Sequence, residues 1–195
     1  MILIGLGSNL SDRKSATPRL MLEMALVEMA ARGIDIVKQS HFYESEPVPK
    51  SDQPWFVNAV VAVETIHSPE KLLETLHDIE AGLGRRRRIR WEARIIDLDI
   101  LTFHDHIYPS PDTWPARDVG HAQNCPTGDG TKANAGENEA QGMIIPHPRL
   151  HERLFVLKPL MDICPDWTHP VSGKTAKAYA SQLTEQAKQG MIRLI

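Results

Sequence analysis

The stretch FVNAVVAVETIHSPEKLLETLHDIEAGLG, residues 56–84, decides the fold because two different periods meet in it. Phe56 to Val63 is rich in valine, and β-branched side chains suit a pleated strand. Ser68 and Pro69 then have the form of an N-cap and the first position of a helix. From there Leu72, Leu76, Ile79 and Leu83 recur at helical spacing as far as Gly84, which can end the helix. The elements on either side of this strand and helix decide which sheet they belong to.

Toward the N-terminus, Ile2, Ile4 and Leu6 alternate as a strand does, and Gly5 and Gly7 leave room for a close backbone approach. Thr17 to Arg32 reads as a helix whose stripe is Leu20, Met24, Val27 and Ala31, with Gly33 as its stop. Ile34, Ile36 and Lys38 begin a second strand, and the Pro-containing segment from Glu44 to Pro54 is expected to be a mobile loop. Toward the C-terminus, Ile95 to Phe103 is a fourth strand. The order strand, helix, strand, strand, helix, strand predicts an α+β protein. Its core is a ferredoxin-like βαββαβ unit, an antiparallel sheet with helices on one face. Periodicity is lost after His106, and residues 109–142 are rich in Gly, Asn, Pro, Asp and Thr, which predicts a long irregular, flexible insertion. Order resumes at Met143, and a helix from about Thr175 to Gln189, stopped by Gly190, closes a C-terminal extension.

Residues 1–195, 42% hydrophobic, suit a single domain with one core. The formal net charge of -3 comes from 22 basic and 25 acidic residues, so no global field draws the chain to nucleic acid or to an anionic membrane. The apolar start lacks the charged region of a signal peptide and the length of a membrane span. Cys125 and Cys164 are too few for a disulfide framework, which fits a reducing compartment and a cytoplasmic location.

Chemistry concentrates in GRRRRIRWEARIIDLDIL, residues 84–101, where six arginines fall between positions 85 and 94. On a strand Asp97 and Asp99 face the same side, roughly 6.5–7 Å apart along the backbone, while Ile96, Leu98 and Ile100 face the other. Such carboxylates repel each other unless a cation sits between them, and a hard divalent ion with oxygen ligands is the usual solution. The guanidinium fork matches phosphate oxygens, so carboxylates and arginines within fifteen residues suggest a metal-complexed polyphosphate substrate. The plainer reading makes both groups a solvated surface. Phe56 and Asn58 alternate on the third strand as an aromatic platform and an amide able to pair with a heterocycle edge. His147 lies between Pro146 and Pro148, and Arg153 two residues before Phe155. His104 and His106 lack a third ligand at metal spacing and read as strand-end residues. The chain has neither a G-x-x-x-x-G-K-[ST] loop nor a G-x-G-x-x-G fingerprint.

Taken in order, GLGSNL, FYESEPV with DQPWFVNAVVAVET, IEAGLGR with RWEARIIDLDIL, and PHPRLHERLFVLKPL resemble the 6-hydroxymethyl-7,8-dihydropterin pyrophosphokinase family nearly end to end. The segment from His104 to Gly142 has no counterpart, and Glu92-Ala93 stands where the family usually has Gly-Pro. The resemblance implies transfer of pyrophosphate from ATP to the pterin, with Asp97 and Asp99 holding two Mg²⁺ ions. It implies stacking of the pterin between Phe56 and Phe155, pairing of its edge with Asn58, and backbone contacts from Ser45 and Val48. It places Arg85 and Arg94 with the two aspartates in catalysis, and Glu80, Arg87, Trp91, His147 and Arg153 on the ATP side. It further implies small-molecule substrates, no nucleic-acid or membrane partner, and a monomer. A ferredoxin-like RNA-binding module and a non-catalytic pterin- or nucleotide-binding relative are the alternatives.

Overall fold

A computed structural model describes residues 1–10, 17–48, 50–85, 95–110, 114 and 143–183, together with the backbone of 191–194. Six strands form one sheet: β1 (Ile2–Ser8), β2 (Asp35–Gln39), β3 (Phe42–Ser45), β4 (Phe56–Glu64), β5 (Asp97–Phe103) and β6 (Met191–Leu194). The order across it is β5-β1-β4-β3-β6, with β2 also paired to β4, and every pairing is antiparallel. Helices α1 (Pro18–Ala31) and α2 (Pro69–Gly82) are the crossovers of the βαββαβ unit, and α3 (Leu154–Ile163) and α4 (Ala176–Gln182) follow it.

The expected core is present, with one addition at its edge. β2 and β3 lie end to end along β4 as one interrupted strand, β2 against Val61–Glu64 and β3 against Phe56–Asn58. At the break, the Ser40 N–H donates to the Val60 carbonyl at 3.0 Å, and the Val60 N–H donates to Ser40 Oγ at 3.0 Å. A side chain thus substitutes for the backbone group the ladder lacks. Glu44 and Ser45, expected in a loop, therefore belong to a strand.

Both crossover helices begin as the sequence suggests. Thr17 Oγ1 accepts from the Leu20 N–H with Pro18 behind it, and Ser68 Oγ accepts from the Lys71 N–H with Pro69 behind it. Gly33 and Gly84 beyond their ends hold φ of 75° and 93°, a region that favours glycine. The buried stripe of α1 differs from the expected one. Met21, Leu22, Ala25 and Met29 face the sheet, whereas Leu20, Met24 and Val27 are 42%, 42% and 68% exposed. The helix is apolar almost all round, so the 3.6-residue period alone does not choose its inner face.

Ile2, Ile4, Leu6, Val57, Ala59, Val61, Leu98 and Ile100 project from one sheet face against α1 and α2. Leu3, Val60, Ala62 and Leu101 project from the other against α3 and α4. The core's two helices share a face as expected, and the C-terminal extension covers part of the opposite one. Its final helix is shorter than expected: Leu183 is already extended, at φ -66° and ψ 144°, and the rest of the expected helix lies outside the described residues. So does the insertion, apart from Pro109, Ser110 and Trp114, and so do residues 86–94 of the arginine loop.

Candidate active site

Because α3 covers only the part of the second face around Leu3, Val60, Ala62 and Leu101, the part over Gly5, Gly7, Asn58, Asp97 and Asp99 stays open. It floors a cleft of ≈ 240 Å³. Register explains its composition. Gly7 pairs with Asn58 on one side and Asp97 on the other, and Gly5 pairs with Val60 and Asp99. Asn58, Gly7 and Asp97 therefore form one row across three strands, an amide at one end and a carboxylate at the other. A Cβ at Gly7 would stand 3.3 Å from Asn58 Oδ1, and one at Gly5 would stand 3.3 Å from Leu101 Cδ2. The bare glycines keep the centre of the floor low.

The next two residues fix the edges. Ser8 Oγ donates to the Ile95 carbonyl at 2.6 Å, holding the approach to β5. Asn9, 1% exposed, donates from Nδ2 to Gln53 Oε1 at 3.2 Å and to the Pro54 carbonyl at 3.3 Å, tying β1 to the chain entering β4. The end of β1 and the residue after it thus join both walls to the floor.

Phe56, Asn58, Ser45, Val48 and Phe155 all line the cleft. Asn58 Nδ2 donates to Ser45 Oγ at 2.9 Å, which fixes which way the amide faces. Arg153 lines the cleft too, its guanidinium carbon 5.7 Å from the centre of the Phe155 ring. Gln53, Glu46 and Arg149 join the lining without having been singled out from sequence, although each sits inside or beside a segment that carries the family resemblance.

Asp97 and Asp99 line the same cleft. Arg85 Nη1 is 2.9 Å from Asp97 Oδ1, and the same nitrogen is paired with Glu80. Glu80, 1% exposed, also accepts from the Leu98 N–H at 2.7 Å. It does not line the cleft; it sits beneath Asp97 and grips both β5 and Arg85. Burial pushes the Glu80 carboxyl up to about 7, while the Arg85 guanidinium pulls against that rise. A carboxyl raised in the folded state stabilises the fold below its unfolded value of 4.5 and loses that contribution as pH rises toward 7. The wild type should therefore lose at most about 3 kcal/mol between pH 5 and 8. Glu80→Gln, which has no proton to lose, should show a flatter profile in denaturant titrations; equal slopes would overturn the assignment.

His147 does not line the cleft among the described residues, but it is within electrostatic reach of Asp97, Arg153 and Arg149. Burial, aided by the Arg153 guanidinium, pushes its imidazole down to about 3. The neutral ring accepts from the Arg149 N–H at Nδ1, at 3.1 Å, which leaves the proton on Nε2. Arg87, Trp91 and Arg94 lie outside the described residues.

An open antiparallel sheet, glycine-floored, carries an amide and rings at one end of a cleft and carboxylates with guanidinium groups at the other, on a ferredoxin-like fold. Residues 3–165 match the family model for 7,8-dihydro-6-hydroxymethylpterin-pyrophosphokinase, so the chain belongs to that family. It is 37% identical over 161 residues to the 2-amino-4-hydroxy-6-hydroxymethyldihydropteridine pyrophosphokinase of Bacillus subtilis, covering 83% of this chain and 76% of that protein. It is 33% identical to the protein of the same name from Methylorubrum extorquens, covering 92% and 91% respectively. The folic acid synthesis protein fol1 of Pneumocystis carinii is 37% identical over 94% of this chain, which spans only 20% of that protein. In fold, the chain resembles the Plasmodium falciparum HPPK-DHPS crystal structure with pterin and p-hydrobenzoate. The TM-score is 0.63 at 16% identity, over 98% of this chain and 47% of that one.

Proposed function

We propose that this chain transfers the β,γ-diphosphate of ATP to the hydroxymethyl group of 6-hydroxymethyl-7,8-dihydropterin, releasing AMP, as a step of folate synthesis. The observation that carries the reading is the row of Asn58, Gly7 and Asp97. It places a heterocycle-pairing amide and a carboxylate on one floor, with a glycine between them where a flat ring can lie. Phe56 and Phe155 stack the pterin, Asn58 pairs with its edge while Ser45 holds the amide, and Val48 closes over it through its backbone.

Asp97 and Asp99 fit a hard divalent cation: two oxygen donors on one strand face, open to the cleft, beside guanidinium groups suited to phosphate. Among the described residues no group of three metal-ligating side chains occurs, so phosphate oxygens and water would complete the coordination of Mg²⁺. Bound there, Mg²⁺ would neutralise charge on the phosphates. In the reaction the pterin hydroxyl oxygen bonds to the β-phosphorus, the bond from that phosphorus to the oxygen shared with the α-phosphate breaks, and AMP carries the freed oxygen away. Asp97 or Asp99 stands where the hydroxyl proton departs. Arg85, steered by Glu80, and Arg153 offset charge on the transferring group, and His147 donates from Nε2 to a phosphate oxygen. The family resemblance extends the same proposal to Arg87, Trp91 and Arg94.

We further propose a monomeric, cytoplasmic enzyme of small-molecule substrates, in which residues 1–195 act as one domain. No helix among the described residues is long and apolar enough to cross a membrane. A nucleic-acid module would present this sheet face to phosphates, but α3 covers one part of it and two carboxylates occupy the other. The test is AMP formation from ATP and Mg²⁺ with and without the pterin. Pterin-dependent AMP is expected; pterin-independent hydrolysis alone, or no AMP from folded protein, would overturn the proposal.

A further inference from the structure

Trp114 lies inside the segment that has no counterpart in the family resemblance, yet it is 7% exposed. Its indole packs edge-on against His169, itself 1% exposed, with ring centres 5.2 Å apart. His169 belongs to a group of rings with His151, Trp167 and Tyr179 in the C-terminal extension. The backbone N–H of Trp114 donates to the Ser110 carbonyl at 2.7 Å.

The indole Nε1–H donates to the Pro146 carbonyl at 3.0 Å, in a buried bond. That carbonyl is half of the peptide unit joining Pro146 to His147. The other half, the His147 N–H, donates to the Leu101 carbonyl at 2.9 Å. Both polar groups of one planar unit are thus held from opposite sides, one by β5 and one by Trp114. The orientation of that plane sets the backbone torsion at His147 and hence where its Cβ points. The imidazole is then held by the Arg149 N–H on Nδ1. Of these three bonds, the one from Trp114 alone is donated by a side chain, so a substitution can remove it.

We propose that Trp114 is a positioning residue for the phosphate end of the cleft, holding the Pro146–His147 peptide so that His147 presents its Nε2–H in one orientation. This rests on the assignment of His147 to the ATP side. The bond is buried and its acceptor has no solvent to replace the donor, so its loss leaves a carbonyl unsatisfied and the peptide plane free to rotate. The pterin end, built on Asn58, Ser45 and Phe56, is reached through other strands and should not feel the change.

The test compares wild type with Trp114→Phe and with a benzothienyl analogue of tryptophan introduced at position 114 alone. The analogue keeps the shape of the indole and replaces its N–H by sulfur, so packing on His169 is retained. The expected result for both is a roughly tenfold rise in KM for ATP, pterin KM within about twofold of wild type, and a Tm within a few degrees. In ¹⁵N spectra of the His147 ring, the single neutral form protonated at Nε2 should give way to exchange-broadened signals. An unchanged KM for ATP with an unchanged His147 spectrum would overturn the proposal, as would equal rises in both KM values, which a general loosening of the fold would produce. Should the wild type form no AMP, the proposed reaction falls. The His147 spectrum of the analogue protein still decides whether Trp114 positions that ring.

Discussion

Replacing Asp97 with alanine is expected to lower kcat for pterin-dependent AMP formation by about 10³-fold while the protein stays folded. The size follows from where the carboxylate stands. It lies on the cleft floor beside Asp99 and 2.9 Å from Arg85, so in the proposed reaction its loss would remove an oxygen donor for the cation and release the guanidinium from its place beside the phosphates. The fold survives because Arg85 retains Glu80 as its partner, and because Leu98 and Ile100, which carry the packing of β5, face the other way. Asp97→Asn preserves shape and should still lose at least about 10²-fold, since charge rather than volume is at stake. Steady-state AMP release and thermal unfolding, run side by side, check both halves. A folded Asp97→Ala protein with more than a tenth of wild-type kcat would sink the assignment of the metal end.

At the other end of the floor, Gly7→Val should raise KM for the pterin by about 10²-fold and leave ATP affinity within about twofold. The first carbon of any side chain at position 7 would already stand 3.3 Å from Asn58 Oδ1, and Asn58 cannot swing freely while its Nδ2 donates to Ser45. The two further methyl groups of valine would rise into the space above the row, where the ring is proposed to lie. Strand geometry tolerates valine, so the loss should appear in substrate binding rather than in unfolding. Pterin titration by intrinsic fluorescence and equilibrium binding of an ATP analogue separate the two ends. Equal losses for both ligands would mean that Gly7 serves the strand and not the substrate.

Much of this was legible in the sequence because period and chemistry agreed. Asp97 and Asp99 alternate with Leu98 and Ile100, so strand periodicity separates the site face from the core face with no further information. The capped start of α2 was equally plain, since Ser68-Pro69 satisfies orphan helix donors by local rules. The inner face of α1 was not legible: with apolar residues on every side, only the packing partners decide, and they chose Met21, Leu22, Ala25 and Met29. β3 was hidden because its pairing with β4 depends on Ser40 bridging a break, an arrangement with no periodic signature. Glu80 could be tied to the site only through family resemblance; that it works from beneath the strand, through Arg85 and the Leu98 N–H, needed three dimensions.

The Tyr108 and Ile145 backbones exchange both hydrogen bonds, at 2.8 and 3.2 Å, so the two ends of the segment between them are held together by a single closed rung. Whatever length is spliced beyond that rung, the sheet experiences only two fixed ends, and each doubling of a flexible loop closed in this way costs about 0.6 kcal/mol. The rung is therefore a place where descent can add or remove sequence almost without penalty to catalysis, provided the changes fall past Trp114. It is also where an engineer could graft a peptide tag or a second domain, using the enzyme's own turnover as the readout that the host has not been disturbed.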